Sequence, residues 1–296
     1  MVDLNINTKE EKWQHILITG SHGYIGKNMK NFLQHESVVS SFGVDKKKGT
    51  YTEEVTDVSN YDGIIHLSAI SGIAECESNR PQAYIDNILA TINIMNAAYN
   101  QNVPLVFASS QAAKCPMNNF YAASKYIGEC EAQRLNAKGA NIKILRFANV
   151  FGGVGWENKT NVVARFRQAK ESREPLTLNG DGGQKRDFIC VRDICNAIWL
   201  ALTCEETYSI PIDIGTGKSH SIKEVAEMFN HPIEYNKDSK LVGVDDNFAD
   251  IRTAKELIGF ESKYDISPYS IYKPFVRYNE DEVPADTIDI TNESPY

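Results

Sequence analysis

Three side chains near the middle of the sequence have the types and spacing needed to move a proton and a hydride together. Tyr121 and Lys125 form a Y-x-x-x-K pair, which on a helix sets both side chains one turn apart on a single face. A phenol with a reference pKa of about 10 is a poor base at neutral pH. A lysine ammonium and an oxidised nicotinamide beside it stabilise the phenolate and lower that pKa. Tyr121 can then move a proton at a carbinol or carbonyl oxygen while hydride passes to or from the nicotinamide, and Lys125 is placed to bind the nicotinamide ribose. Ser110 precedes Tyr121 by 11 residues and closes the run Phe107-Ala-Ser-Ser110, so its hydroxyl can hydrogen-bond the same substrate oxygen. Cys115, between them, reads as an ordinary free thiol.

A nucleotide site for that hydride is suggested by Thr19-Gly20-Ser21-His22-Gly23-Tyr24-Ile25-Gly26, a T-G-x-x-G-x-x-G stretch where an apolar run gives way to an amphipathic one. Glycines there let the backbone turn tightly and approach a pyrophosphate at the positive end of a helix. Asp45 ends the next apolar run, 19 residues beyond Gly26, where a carboxylate accepts hydrogen bonds from a ribose 2′-hydroxyl. That acid favours NAD and repels the 2′-phosphate of NADP. Lys46-Lys47-Lys48 directly after it either attract such a phosphate or form a solvated loop. Asp57-Val58 fits an adenine contact, and Leu67-Ser68-Ala69 fits a strand end beneath the pyrophosphate, although a plain buried strand explains the latter as well.

Short apolar runs alternate with amphipathic stretches through the first half, the pattern of parallel strands joined by crossover helices. The pattern predicts strands over 15–19, 38–45, 64–69, 105–109 and 142–147, and helices over 24–34, 81–99 and 121–138, the last stopped by Gly139. Beyond Gly152 the elements shorten: helices over 160–172, 193–202, 221–229 and 251–258, with strands at 175–178, 188–191 and 212–214. The fold class is therefore α/β, a Rossmann-type doubly wound parallel sheet with a smaller C-terminal α/β substrate-binding part and the ligand site in the cleft between them. The expected organisation is an N-terminal extension over 1–13, a cofactor domain with the catalytic residues over 14–150, a mainly substrate-binding part over 151–277 and an acidic tail over 278–296.

The chain has 296 residues, 31 Lys+Arg against 39 Asp+Glu, a net charge of −8 and 42% hydrophobic residues. This is a globular composition, neither disordered nor fibrous. Six of the acids (Glu280, Asp281, Glu282, Asp286, Asp289 and Glu293) fall in 278–296 with no Lys or Arg, so most of the net charge belongs to a solvated end. The acidic balance argues against nucleic acid, whose binding rests on a basic face. Six cysteines without a C-x-x-C pair predict free thiols in a reducing compartment. The histidines form no ligand spacing, so no metal is expected. No apolar run reaches the roughly 20 residues of a membrane span and the first residues do not read as a leader, so the expected location is the cytoplasm.

Together these motifs resemble the extended short-chain dehydrogenases/reductases, especially the nucleotide-sugar epimerases and dehydratases typified by UDP-glucose 4-epimerase, over Gln14 to Phe260. The resemblance also rests on Ile65-His-Leu-Ser-Ala69, on Pro81-Gln-Ala-Tyr-Ile-Asp-Asn87 with Asn93 beyond it, on Arg146-Phe-Ala-Asn149-Val-Phe-Gly152, on Arg186-Asp-Phe-Ile-Cys-Val-Arg-Asp193, and on Ile214-Gly-Thr-Gly217 before Ser221. It implies an NAD-dependent enzyme acting on a nucleotide-activated sugar, with Ser110, Tyr121 and Lys125 catalytic. It assigns Gly20, Gly23, Tyr24, Ile25, Gly26, Asp45, Asp57, Val58, Leu67, Ser68, Ala69, Asn87 and Lys125 to the cofactor. Ser110 and Tyr121 also touch the substrate. Asn149 resembles the family asparagine at the substrate diphosphate and Arg186 its phosphate-binding arginine. A planar fork of donors suits phosphate oxygens, while an ion pair with Asp187 is the simpler role for Arg186.

Departures from the family pattern narrow the reaction. Sugar-nucleotide 4,6-dehydratases carry an Asp-Glu pair directly after the catalytic hydroxyl residue, and Gln111-Ala112 stand there instead, unable to supply acid and base for elimination. The stretch from Ser110 to Tyr121 is short for the epimerase pattern and lacks its V-Y-G. A further phosphate-binding arginine is missing before Asp250-Ile-Arg252, and Arg252 is badly placed to replace it. The resemblance then points to an epimerase that oxidises C4 transiently and returns the hydride to the other face. The alternatives are a 4-keto-sugar reductase consuming NAD(P)H, and a cofactor-binding protein without activity. A homodimer through the helices over 81–99 and 121–138 is also implied, although Tyr84, Ile88, Ile92 and Met95 form a stripe that serves equally as monomer core.

Overall fold

A computed structural model describes residues 13–35, 40–154, 161–236 and 246–271. The acidic tail and nearly all of the N-terminal extension lie outside them. Strand β1 (His15–Thr19) is buried almost throughout because it runs through the middle of a sheet covered on both faces, where no polar side is needed. Helix α1 (Tyr24–Leu33), β2 (Ser40–Val44) and β3 (Gly63–His66) follow.

The next stretch departs from the single helix expected over 81–99. Helix α2 (Ile73–Ser78) precedes it, and α3 (Arg80–Tyr84) is capped by Asn79, with Pro81 in the first turn, where its missing N–H does no harm. A π-helical turn, Ile85–Leu89, then separates α3 from α4 (Ala90–Asn100) and holds Asp86, Asn87 and Ile88 buried. Turns of this kind often mark functional sites. Strand β4 (Leu105–Ser110), α5 (Phe120–Asn136) and β5 (Ile142–Phe147) complete the first half.

The second half contains β6 (Asn149–Phe151), α6 (Val162–Glu171), β7 (Leu176–Asn179), β8 (Lys185–Arg186), β9 (Phe188–Cys190), α7 (Val191–Thr203) and β10 (Ile212–Ile214). After these come β11 (His220–Ser221), α8 (Ile222–Glu227), β12 (Ile233–Asn236), β13 (Asp246–Asn247) and α9 (Arg252–Ile258). Among the described residues the large sheet has six parallel strands in the order β2-β1-β3-β4-β5-β10. The order reverses between β1 and β3, and the crevice at the carboxyl ends there is where such sheets bind ligands. Alternate residues of β1 serve the two faces. Ile16 and Ile18 join Met29, Phe32, Ile194 and Ile198 on one, and Leu17 joins Ile94, Met95, Phe107 and Leu135 on the other.

Two elements from beyond residue 150 pack against the first half of the chain. Helix α7 packs on α1, and β10 lies beside β5 with Ile212 opposite Leu145. The cause is burial: one sheet face needs the apolar side of α7, and without β10 the edge of β5 would stand open. The remaining C-terminal elements gather around Phe151, Phe166, Phe188 and Phe229. Among the described residues no helix is long and apolar enough to cross a membrane.

Candidate functional site

Close approach shapes the glycine turn. Gly20 has φ +68°, and a Cβ there would stand 2.9 Å from the Leu67 carbonyl carbon and the Ser68 nitrogen. Gly26, in the first turn of α1, would drive a Cβ into the Gly20 carbonyl oxygen and to 2.8 Å from Ser21 Cα. Gly23 caps α1 without a side chain, and no acid stands in the first turn, so the leading N–H groups at Tyr24, Ile25 and Gly26 have no side-chain cap. A bare helix N-terminus above a tight turn fits a pyrophosphate. The Tyr24 hydroxyl donates to the Gly152 carbonyl at 2.5 Å, and Ile25 packs into the core.

Asp45 lies just past β2, buried, and accepts from the N–H groups of His22 at 2.8 Å and Lys47 at 2.9 Å. It ties the glycine turn to the sheet and keeps lone pairs for a ribose. Lys46 is turned onto Asp86, so one of the three lysine charges is neutralised within the protein, in keeping with NAD. Val58 is buried and gives its N–H to Gln101 Oε1 at 2.9 Å, while Gln101 Nε2 donates to the Thr56 carbonyl at 2.9 Å. Asp57 Oδ1 accepts from Ser59. Asn87 Oδ1 accepts from Ile70 N–H at 2.8 Å, and Nδ2 donates to the Ile70 carbonyl at 3.0 Å and to Ser124 Oγ at 3.2 Å. It joins the loop after Ala69 to α5.

Tyr121 is fixed early in α5 by Asn119, which accepts from Ala122 N–H at 2.9 Å, and by Glu77, which accepts from Phe120 N–H at 2.7 Å. Ser110 stands close enough to the Tyr121 phenol to favour its ionised form and accepts from Ala112 N–H at 3.2 Å. Lys125 is buried, donates to the Ala108 carbonyl at 2.8 Å and lies over the Phe107 ring at 5.1 Å. The three expected catalytic side chains therefore converge at the carboxyl end of β4. Burial pushes the Tyr121 phenol up to about 12, against the pull of Ser110, and brings Lys125 down to about 8. His66, whose partners escaped the sequence reading, lies fully buried beneath them between Thr19 Oγ1 (2.7 Å) and Thr91 Oγ1 (2.9 Å). Burial lowers it to about 3, so it stays neutral and ties β1, β3 and α4 together.

On the substrate side, Asn149 donates from Nδ2 to the Asp187 carbonyl at 3.2 Å, which brings it beside Arg186. The Asp187 carboxylate is fully buried and accepts from Thr216 N–H and hydroxyl, Gly217 N–H and Ala249 N–H, at 2.7 to 3.2 Å. It is the anchor of the 214–217 loop rather than a dedicated partner for Arg186. Arg252 forks onto Asp250 at 2.9 and 2.6 Å, and Cys115 is an exposed free thiol. Most of the stretch that lacks the further arginine lies outside the described residues.

The sequence profile of the NAD dependent epimerase/dehydratase family matches residues 16–215, from β1 through Ser110, Tyr121 and Lys125 to β10. The chain belongs to this family. Among curated relatives, the UDP-N-acetyl-alpha-D-glucosaminuronate decarboxylase of Bacillus cytotoxicus is 26% identical over 269 residues, 77% of this chain and 82% of its own. The UDP-glucuronate 4-epimerase of Thermodesulfobacterium geofontis is 26% identical over 303 residues, 84% of this chain and 92% of its own. Among solved structures, MoeE5 in complex with UDP-glucuronic acid and NAD matches the fold with TM-score 0.78 at 24% identity, over 88% of this chain and 97% of that one.

This epimerase/dehydratase-family enzyme carries a pH signature outside its catalytic residues. Asp193 opens α7 and accepts from the N–H groups of Lys263 and Tyr264, each at 3.0 Å, and burial pushes its carboxyl up to about 6 from 3.8. The folded protein therefore binds this proton more tightly than the unfolded chain. The stabilisation is complete below about pH 4 and lost as pH rises through about 6, a loss of up to about 3 kcal/mol. Asp193→Asn is expected to remove that slope while keeping an acceptor oxygen. Urea unfolding at pH 4 and pH 7 checks it, and parallel profiles for the two proteins would refute the assignment.

Proposed function

We propose that this enzyme inverts C4 of a UDP-activated sugar, with NAD retained through the cycle. The observation that carries the reading is the convergence of Ser110, Tyr121 and Lys125 beside a glycine turn that fits a pyrophosphate. The names of the relatives supply the sugar-nucleotide class. Bound NAD supplies the hydride acceptor and a positive ring that makes the neighbouring phenol more acidic. Tyr121 takes the proton from the C4 hydroxyl, Ser110 holds the same oxygen, and Lys125 stabilises the phenolate and binds the ribose. Asn149 and Arg186 hold the diphosphate while the keto sugar turns, and Tyr121 returns its proton when the hydride comes back to the other face. Gln111 and Ala112 have no titratable group, which favours epimerisation over elimination.

The test is incubation with UDP-glucose, UDP-glucuronate and UDP-N-acetylglucosamine, followed by NMR of the products. Expected is a C4 epimer of unchanged mass without net NAD consumption. Stoichiometric NAD(P)H oxidation with a 4-keto sugar, or loss of carbon dioxide or water, would replace the reading.

A homodimer belongs to the same proposal. Ile88 and Met95 of the helical stripe are core, but Tyr84, Ile85 and Leu89 (47%, 36% and 39% exposed) and Tyr126 and Ile127 (44% and 39%) leave apolar surface on two helices that pack side by side. Leu89→Arg is expected to yield monomers in light scattering coupled to size exclusion, whereas a wild-type monomer mass would defeat the proposal. A cytoplasmic location is supported by six free cysteines.

A further inference from the structure

Three consecutive residues at the end of β4 meet three residues of α5 spaced at four. The Ala108 carbonyl accepts from Lys125 at 2.8 Å, Ser109 Oγ donates to Glu129 Oε1 at 2.5 Å, and Ser110 meets the Tyr121 phenol. Two of these pairs are already part of the proposed reaction, and the third is Ser109 with Glu129. Glu129 is 1% exposed and is closed from β5 by Arg146, with Nε on Oε1 at 2.8 Å and Nη2 on Oε2 at 2.6 Å. Arg146 stands opposite Ser109 in the β4–β5 register, so Glu129 clasps both strands where the catalytic residues emerge. Stability alone explains this poorly, because an apolar pair of the same volume often serves as well as a buried ion pair or better.

We propose that Glu129 is a positioning residue of the reaction: through Ser109 it fixes the strand end that carries Ser110, and it sets a negative charge one helical turn from Lys125. The proposal rests on the reading above only in that Lys125 acts in the reaction. The groups facing Lys125 are Cys76 from α2, neutral His66 from β3, and Tyr121 and Glu129 from its own helix. Burial lowers Lys125, and Glu129 and Cys76 oppose that. Glu129 itself is faced by Arg146 from β5, Ser109 from β4 and Tyr126 from α5, and Arg146 in turn feels Asp213 of β10. Asp213 also accepts from Lys114 at 2.5 Å, which fastens the turn after Ser110 to the same corner.

The experiment titrates the lysine side-chain nitrogens by NMR in protein labelled with 13C,15N-lysine, with Lys125→Met assigning the signal, and measures kcat and KM against pH. In Glu129→Gln the Lys125 midpoint is expected to fall by about one pH unit, kcat near neutral pH by about tenfold with KM within about twofold, and the alkaline limb of kcat to move to lower pH. Ser109→Ala keeps the charge and is expected to leave the midpoint in place while lowering kcat about threefold. Glu129→Asp restores the midpoint but, one methylene short of Ser109, not the full kcat. A wild-type midpoint in Glu129→Gln overturns the charge role, and wild-type kcat in both Ser109→Ala and Glu129→Asp overturns the positioning role. If Glu129→Gln does not fold, the midpoint in the double variant Glu129→Gln/Arg146→Met, which removes the whole ion pair, decides the charge role, and kcat in Ser109→Ala decides the positioning role. If the wild type turns over no sugar nucleotide, the functional reading fails, yet the lysine titration still decides the charge role.

Discussion

Tyr121→Phe is expected to lower kcat by about three orders of magnitude and to leave NAD affinity within about twofold. The substitution removes one hydroxyl from a ring seated in the first turn of α5, whose cap on Asn119 and contact with Glu77 do not involve that hydroxyl. What disappears is the one group that meets Ser110 and shares a helical face with Lys125. Ser110 is no substitute base, because an aliphatic hydroxyl is far less acidic than a phenol. Lys125 donates to the Ala108 carbonyl and is positioned to stabilise charge rather than to reach the sugar oxygen. Steady-state kinetics with calorimetric NAD titration check the prediction; turnover equal to wild type would remove Tyr121 from the proposed role.

Gly26→Ala is expected to weaken NAD binding at least about a hundredfold and to destabilise the fold by about 2–3 kcal/mol. The added carbon would overlap the Gly20 carbonyl oxygen and lie 2.8 to 2.9 Å from Ser21 backbone atoms, so helix and turn must separate. Helix α1 has little room to retreat. Met29 and Phe32 are seated in the core, Tyr24 is bonded to Gly152, and Asn28 clasps the Val154 backbone at 2.7 and 3.0 Å. The turn must give way instead, taking with it the N–H groups that face the pyrophosphate. Gly139→Ala is the control: its φ of +96° carries strain, but nothing lies within 4 Å of an added Cβ, and it is remote from the turn in sequence and sheet. Calorimetric titration and thermal melts of both variants check the pair. Equal NAD affinity in Gly26→Ala and wild type would show that the turn does not bind the cofactor.

The glycine turn, the Y-x-x-x-K pair and strands such as Ile142–Phe147 were legible because their signals are local: a spacing on one helix, or an apolar run between breakers. The groups that hold them together were not. Asn87 bonds to Ile70 and Ser124, 17 and 37 residues away, and Asp187 takes N–H groups 29 to 62 residues ahead. A buried acceptor is readable only when its donors are known, and no periodicity reports them. The π-turn at Ile85–Leu89 shifts the helical phase in mid-stretch, which an ideal 3.6-residue pattern does not reveal. Gln101 likewise had no visible link to Val58, 43 residues away, until the fold joined them.

The late return of β10 to the sheet bears on how the chain is made. Residues through Phe147 emerge from the ribosome with the outer edge of β5 unpaired and one sheet face covered by α1 alone, because α7 and the Ile212–Ile214 strand are still to be synthesised. An open edge beside exposed apolar surface is prone to pairing with other chains. A fragment ending near residue 150 is therefore expected to need a chaperone or to aggregate, although it holds the whole glycine turn and all three proposed catalytic side chains. The nascent enzyme acquires a closed sheet only after Ile214 has cleared the exit tunnel.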